Sequence, residues 1–219
     1  MLGVYVTVPI ACFRKGLARE YLETEPLPPP ATCYGFLLSL VGETKRARHS
    51  GCRVAPVLLN RPQTSVVLRT IWRVKKTPLG SAGNTRPDYQ QLLTGPSPDE
   101  PFVGLVMWLH SSEEPVGSHG LEARVRGALT NPASVSRFGG LSLGESTHLV
   151  DEVCLFEGRT ADRLRERSGQ AFLLADRGRL TLPVWVDHVG SAGTRYATGN
   201  LESGTLQPPA VERMPRIVP

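Results

Sequence analysis

A run of prolines near the amino terminus constrains the fold of this chain more than any other feature of its sequence. Three consecutive prolines, at 28–30, favour an extended backbone that cannot continue a helix. The apolar residues that follow, spaced as in a helix, are Tyr34, Leu37, Leu38 and Val41. We predict a short helix with Thr32 as its N-cap and Gly42 at its end. Gly35 lies inside this helix, where glycine costs about 1 kcal/mol relative to alanine, so we expect a ligand or another chain segment close to its backbone.

Strands are predicted on both sides of this helix, from alternating apolar residues and from short apolar runs bounded by turn residues. They cover residues 2–8, 54–59, 64–74, 102–110 and 148–156. The turn residues 60–63 indicate a hairpin between the second and third of these strands. A second helix is predicted over 121–129, whereas 88–93 is at most a short helix.

The predicted order of strand, helix, two strands, helix and strand is that of the ferredoxin-like fold, which the RNA recognition motif shares. In this interpretation the strand at 102–110 is an addition. Three short β-like pieces follow, at 171–175, 180–189 and 196–201. We therefore predict an α+β fold, with an antiparallel sheet and two helices over 1–156 and a small β-rich C-terminal lobe over 157–219. The proline-containing tail, 207–219, is expected to be extended or poorly ordered.

Positive charge is concentrated in the first part of the chain. The whole sequence has a net charge of +5. Residues 1–90 hold 13 Lys and Arg against 5 Asp and Glu, a balance of +8, while the remainder holds 12 against 15, a balance of −3. A separation of charge on this scale favours binding to polyanions and is typical of proteins that bind nucleic acid.

The cysteines and histidines argue against metal or cofactor chemistry. The four cysteines lie far apart with no C-x-x-C pair, and the five histidines show no spacing typical of metal ligands. We expect no metal and no cofactor, and we expect a reducing, cytoplasmic location. The apolar stretch 1–11 is too short to cross a membrane and lacks the basic residues of a signal peptide, so no membrane association is expected.

A glycine-rich run at 139–144 supplies backbone amides that can approach a phosphate, and Arg137 precedes it. The same residues match the G-x-S-x-G pattern of α/β-hydrolases. That pattern requires a strand before the serine and a helix after it, whereas here a helix precedes and a strand follows. The order of elements therefore argues against the hydrolase interpretation.

Residues 25–42, with the sequence EPLPPPATCYGFLLSLVG, resemble a proline-led signature of CRISPR-associated protein family five, a branch of the RAMP superfamily. The first strand, 2–13, and the runs 86–93 and 137–146 are similar to further elements of that family. The resemblance extends over roughly the first 156 residues. It implies a RAMP domain of ferredoxin-like fold over 1–156, with a basic thumb-like loop at 75–87.

The resemblance also implies a function. Members of this family cap the 5′ handle of the guide RNA (crRNA) in type I Cascade complexes, which carry out RNA-guided DNA targeting. The sequence leaves open whether this targeting serves antiviral defence or transposon-associated integration. The implied partners are the crRNA 5′ handle, the backbone and large subunits of Cascade and, indirectly, target DNA. We expect phosphate contacts from Arg and Lys and bases splayed over the sheet.

We predict RNA contacts from basic residues, from the glycine-rich run and from the helix after the prolines. These residues are Arg14, Lys15, Thr32, Tyr34, Lys45, Arg46, Arg48, Arg53, Lys75, Lys76, Arg86, Arg137, Gly139, Gly140 and Ser142. Tyr34 has two interpretations, since a tyrosine at this helical position either stacks on a base or belongs to the core.

Two alternative functions stay open. One branch of the resembled family is a metal-independent endoribonuclease that processes precursor crRNA with a tyrosine and a Lys-His pair. This sequence has no Lys-His dipeptide, so we expect no enzyme activity. The nearest substitute would combine Tyr34 with His49 or His148 and with Lys75 or Lys76. A free-standing RNA-binding module is the other alternative.

Overall fold

The computed structural model describes residues 1–16, 21–72, 85–115 and 119–219. Its strands are β1 (Leu2–Val8), β2 (Ile10–Ala11), β3 (Tyr21–Leu22), β4 (Arg53–Leu58), β5 (Gln63–Trp72), β6 (Thr85–Thr94), β7 (Val103–His110), β8 (Glu152–Leu155), β9 (Ser168–Leu174), β10 (Leu180–Trp185) and β11 (Arg195–Thr205). Its α-helices are α1 (Pro30–Leu40), α2 (Leu121–Thr130) and α3 (Gly158–Arg163). Short 3₁₀ turns lie at Arg46–His49, Pro132–Ser134 and Val211–Arg213.

The main sheet is antiparallel and has seven strands in the order β10-β11-β9-β4-β7-β1-β8. Its part β4-β7-β1-β8, together with α1 and α2, follows the chain order β1-α1-β4-β7-α2-β8. This is the ferredoxin-like arrangement, so the predicted fold class is confirmed. The core between α1, α2 and the sheet is formed by apolar side chains such as Val4, Val6, Leu37 and Leu105.

The predicted pairing of the second and third strands is wrong. The hairpin between 54–59 and 64–74 does not form, because β4 pairs with β7 and β9 while β5 pairs with β6. The third strand of the ferredoxin-like core is therefore β7, and the β5–β6 pair is the addition. The reason is burial: β4 and β7 are buried on both faces and take central positions, whereas β5 exposes Val66 and Leu68.

Residues 88–93 also differ from the prediction, since they belong to strand β6. In the second sheet, β6 pairs with β5 along its whole length and with the short strands β2 and β3. A continuous ladder to β5 outweighs the weak local preference of this segment for a helix.

Helix α1 begins three residues earlier than predicted. Pro29 is its N-cap residue and Pro30 is its first helical residue, where the missing N–H of proline costs nothing. Thr32 lies within the first turn and donates its backbone N–H to Pro29 O at 2.9 Å, so it is not the cap. The predicted end of the helix is confirmed: Gly42 has φ of +65°, and a Cβ there would lie 2.2 Å from Ser136 O.

The sheet face opposite α1 and α2 is covered. Tyr5, Val106 and Trp108 on this face pack against Leu164 and Met214 and are buried. The expectation that bases are splayed over the sheet is therefore wrong for this face, because the C-terminal part of the chain occupies the surface that an RNA recognition motif leaves open.

The three strands after α3 extend the main sheet, since β9 pairs with β4 through Val57↔Ala171 and Leu58↔Gln170. A domain boundary at residue 156 stays a prediction.

The tail, 207–219, is expected from the sequence to be extended or poorly ordered. It is extended, and it is packed against the rest of the chain. Ile217 exchanges backbone hydrogen bonds with Cys52 and Gly51, and Met214 and Ile217 are fully buried. Within the described ranges no helix has the length and apolar character needed to cross a membrane.

Candidate nucleic-acid interface

Helix α1 carries an open stripe on an otherwise largely buried surface. Gly35 and Ser39, one turn apart, are exposed, and a Cβ on Gly35 would meet no atom of the described residues within 4 Å. Two cavities, of about 330 Å³ and about 660 Å³, meet along this stripe. Both are lined by Gly35, Ser39, Arg46 and His188. We call the surface formed by these two cavities the α1 groove.

Three other parts of the chain form the walls of the α1 groove. The smaller cavity is lined in addition by Thr32, Ser142, Gly144 and Trp185, among others. The larger cavity adds Gly42, Glu43, Thr44, Ser136, Arg137 and Phe138, among others. The groove therefore joins the start of α1, the basic segment after it, the glycine-rich run and the end of β10.

Arg46 is held firmly at the centre of the groove. Its guanidinium carbon lies 4.4 Å from the ring centroid of Trp185, and its Nη2 donates a hydrogen bond to Val186 O at 2.9 Å. The hydroxyl of Tyr34 donates to the backbone carbonyl of Arg46. A guanidinium fixed in this way loses little conformational entropy when it binds an anion.

A buried polar network supports the segment that carries Arg46. Arg124 Nη1 donates to Glu43 Oε2 at 2.5 Å and to His49 Nε2 at 2.8 Å, and its Nη2 donates to Val41 O at 3.2 Å. His49 Nδ1 lies 2.6 Å from Glu114 Oε2. Because Arg124 donates to Nε2, His49 carries its proton on Nδ1 and donates it to Glu114. The hydrogen bond from Arg124 lowers the pKa of Glu43 to about 2.

The structure places Tyr34 in the core. The side chain is buried and its hydroxyl is bonded to the Arg46 carbonyl, so the ring has no free face for a base. Burial raises the pKa of Tyr34. The two histidines weighed with it are also engaged: His49 is fully buried, and His148 Nδ1 accepts a hydrogen bond from the Cys12 N–H at 3.2 Å. Desolvation lowers the pKa of His148.

The other basic residues after α1 have different surroundings. Lys45 is exposed, whereas Arg48 Nη1 donates to Glu43 Oε2 at 3.0 Å. Arg53 Nε donates to Glu113 Oε1 at 2.8 Å, and this hydrogen bond lowers the pKa of Glu113. Arg53 Nη1 donates to Met214 O at 3.0 Å. These basic residues are close together in the sequence. The fold nevertheless places Arg46 in the groove, whereas Arg53 binds the C-terminal tail.

The remaining predicted contacts lie outside the groove or outside the described residues. Arg14 forms a backbone bridge with Thr24, and Lys15 Nζ lies 3.6 Å from Glu23 Oε2. Neither residue lines the α1 groove. Lys75, Lys76 and most of the predicted thumb-like loop, 75–87, fall outside the described residues. Arg86 belongs to β6, and its side chain is outside the described part.

The glycine-rich run, 139–144, pairs at its end with the segment 148–150, and its glycines have different roles. Ser142 bridges Leu149, and Leu143 N donates to His148 O at 3.0 Å. Gly144 has φ of +91°, and a Cβ there would lie 2.5 Å from Cys12 O, so this glycine is required by packing. Gly139 and Gly140 are exposed and their backbone is open to an approaching ligand.

Several residues of the groove were not predicted from the sequence. Ser39 lies within the proline-led signature and Phe138 within the run 137–146, but neither is among the predicted RNA contacts, and Trp185 and His188 lie outside every segment that carries the resemblance. The one usable signal was Phe138, an apolar residue directly before a glycine pair. Within the described part of the chain, no group of three or more His, Cys, Asp and Glu residues is arranged to hold a metal ion.

Comparisons with known proteins agree with the resemblance noted in the sequence. A CRISPR-associated protein Cas5 from Myxococcus xanthus (strain DK1622) is 53% identical over 220 residues, which is 99% of this chain and 97% of that protein. No protein-family model matches the sequence.

Two solved structures share the fold. A chain described as "CRISPR RNA-guided surveillance complex" aligns with a TM-score of 0.58 at 15% identity and covers 93% of this chain and 89% of its own. A chain described as "Crystal structure of Cas protein" aligns with a TM-score of 0.51 at 14% identity, with 94% and 95% covered.

Proposed function

Because the chain belongs to the Cas5 family of CRISPR-associated proteins, we propose that it is an RNA-binding structural subunit of a type I Cascade complex. It caps the repeat-derived 5′ handle of the crRNA, and the α1 groove holds part of this handle. The handle is the ligand that the proline-led signature of α1 implies, and the groove lies along that signature. Arg46 and the exposed backbone at Gly35 are its central features.

The observation that carries this proposal is that Arg46, whose guanidinium is held in place, lies in the same groove as the exposed backbone of α1 at Gly35. Arg46 is oriented by Trp185 and Val186, and its guanidinium can bind two oxygens of one phosphate. Gly35 leaves room for a sugar-phosphate backbone to approach α1 closely. The hydroxyls of Ser39 and Ser142 line the same groove and add hydrogen-bonding groups for phosphate or 2′-hydroxyl oxygens.

We propose further that this protein performs no chemistry on the RNA. The nuclease alternative needs a tyrosine with a free hydroxyl beside a general acid and base. Tyr34 is buried with its hydroxyl bonded to Arg46 O, and His49 is bonded to Glu114 and Arg124. These contacts favour a structural role for both side chains.

The remaining part of the proposal concerns assembly. The protein joins the backbone and large subunits of Cascade to the handle, and it serves RNA-guided DNA targeting through the complex. The predicted thumb-like loop, 75–87, reaches the neighbouring subunit and the guide RNA. The strands β5 and β6, which lie on either side of residues 73–84, pair along their whole length.

The test is a titration of labelled 5′-handle RNA with the full chain in EDTA, followed by fluorescence anisotropy at several salt concentrations. We expect binding with the RNA left intact. Arg46→Gln should weaken binding and reduce the slope of log K against log salt by about 0.7, the value for one contact to single-stranded RNA. Arg48→Gln is the matched control, because Arg48 is already paired with Glu43, and it should change the slope less.

Two outcomes would contradict the proposal. Equal effects of Arg46→Gln and Arg48→Gln, with unchanged melting temperatures, would mean that the groove is not the RNA site. Discrete cleavage of a precursor repeat RNA in EDTA would show that the protein is the nuclease of the alternative hypothesis.

A further inference from the structure

The aromatic side chain of Phe138 lies at the rim of the α1 groove and is exposed to solvent. It is fully exposed, at 105% of its reference accessible surface, and it lines the larger cavity together with Arg46, Arg137 and His188. Gly139 follows it with φ of +77°, so the chain turns sharply directly after the ring. A phenylalanine left entirely in water forgoes the free energy of burying its ring, which binding of a partner would recover.

The other aromatic rings of the groove are already occupied. Tyr34 and Phe36 are buried in the core, and one face of Trp185 is covered by the guanidinium of Arg46. Among the phenylalanine, tyrosine and tryptophan rings that line the groove in the described part of the chain, Phe138 alone is exposed. If the groove stacks a base on one of these rings, Phe138 is the available ring.

We infer that Phe138 stacks on an unpaired base of the RNA held in the α1 groove. This inference rests on the proposed function and adds a specific binding residue to it. The arginines beside Phe138 bind the phosphates that flank the stacked base. Because every base has a π-face, the contact tolerates any base at that position and orders the strand without reading its sequence.

The surroundings of Phe138 favour RNA over a protein partner. An apolar protein surface placed on this ring would also cover Arg46, Arg137 and His188 and would remove these polar side chains from water. A nucleotide can cover the ring with its base and pair with the arginines through its phosphate, so the polar side chains keep a binding partner.

The experiment compares three variants of the full chain, Phe138→Ala, Phe138→Tyr and Val189→Ala, in binding to 5′-handle RNA. Val189 is the matched control because it is a fully exposed apolar residue on the loop that also carries His188. Stacking contributes about 1–3 kcal/mol per base, so Phe138→Ala should lower the affinity about 5- to 150-fold. Phe138→Tyr, which keeps the ring, should bind like the unmodified protein, and so should Val189→Ala.

A second set of titrations uses RNAs in which one handle nucleotide at a time is abasic. We expect one position at which removing the base weakens the unmodified protein as much as Phe138→Ala does, and at which the Phe138→Ala change has no further effect. Equal binding by Phe138→Ala and Val189→Ala would overturn the inference alone. So would a loss of co-purified subunits with intact RNA binding, which would assign Phe138 to a protein contact. Failure of the unmodified protein to bind handle RNA would overturn the proposed function as well.

Discussion

Single carboxylates decide which basic side chains are available to a ligand. Glu43 accepts hydrogen bonds from Arg124, from Arg48 and from the backbone N–H of Lys45, so it anchors the segment that leads to Arg46. Glu113 similarly binds Arg53. Neighbouring cations of the sequence therefore have different roles, and the net charge of the first part of the chain overstates the number of cations free to bind RNA.

The stability of the protein should depend on pH through Glu43. Its pKa is lowered to about 2 from an ordinary value of 4.5, chiefly by the hydrogen bond from Arg124. Because the folded-state pKa is the lower one, ionised Glu43 stabilises the fold above about pH 4.5, and this contribution is lost as the pH falls toward about 2. We expect Glu43→Gln to lower the free energy of unfolding at neutral pH, with the difference from the unmodified protein shrinking over that window.

Urea denaturation at a series of pH values measures this difference. Glu166→Gln, which removes an exposed carboxylate, is the control. A difference for Glu43→Gln that stays constant between neutral pH and about pH 2 would show that its ionisation does not stabilise the fold.

At the scale of elements, helix α1 keeps a residue that weakens it. Gly35 lies in the middle of the helix on its exposed stripe, with space around it for a side chain. Helix α2 offers a comparable position, since Gly127 is also exposed and a Cβ there would meet no described atom within 4 Å. We expect the two glycines to have similar effects on helix stability, but only Gly35 lies in the α1 groove among the residues that the structure describes.

Substitutions at Gly35 and Gly127 distinguish an effect on helix stability from an effect on RNA binding. Gly35→Ala and Gly127→Ala should each raise the free energy of unfolding, by about 0.5–1 kcal/mol, because alanine loses less backbone entropy. Gly35→Leu should greatly weaken handle RNA binding by filling the groove, and Gly127→Leu should leave it unchanged. Chemical denaturation and anisotropy titrations measure the two effects. Normal RNA binding by Gly35→Leu would place the RNA elsewhere.

At the scale of the whole molecule, the C-terminal segment completes the structure of the first part. Strand β9 pairs with β4, and the tail places Met214 against the sheet and Ile217 in the main core. The backbone of Ile217 is bonded to Gly51 and Cys52, directly after the 3₁₀ turn that begins at Arg46. The tail therefore anchors the chain segment that follows Arg46.

Loss of this packing should destabilise the entire protein. Ile217→Ala should lower the free energy of unfolding by about 2–5 kcal/mol, because it leaves a cavity in a buried position. Val189→Ala, at a fully exposed position, should change it by less than about 0.5 kcal/mol. Urea denaturation followed by circular dichroism measures both. Similar values for the two variants would mean that the tail is not packed in solution.

Local sequence signals determined the class of the fold and the position of its main motif. Prolines and apolar spacing located α1, a glycine that tolerates positive φ located its end, and apolar strands with two helices predicted the ferredoxin-like order. Each of these signals acts over a few residues, so each is visible without knowledge of the partners of a segment.

Only the tertiary structure decided which strands pair and which side chains share a surface. The residue pattern of a strand does not specify which strand it pairs with, so the sequence predicts β5 as the third core strand, whereas β7, which is buried on both faces, takes that position. Arg46 contacts Trp185 and lines the same cavity as Phe138, and both residues lie far from it in the sequence. The α1 groove therefore depends on long-range packing, which brings together residues whose separation in the chain leaves no local trace.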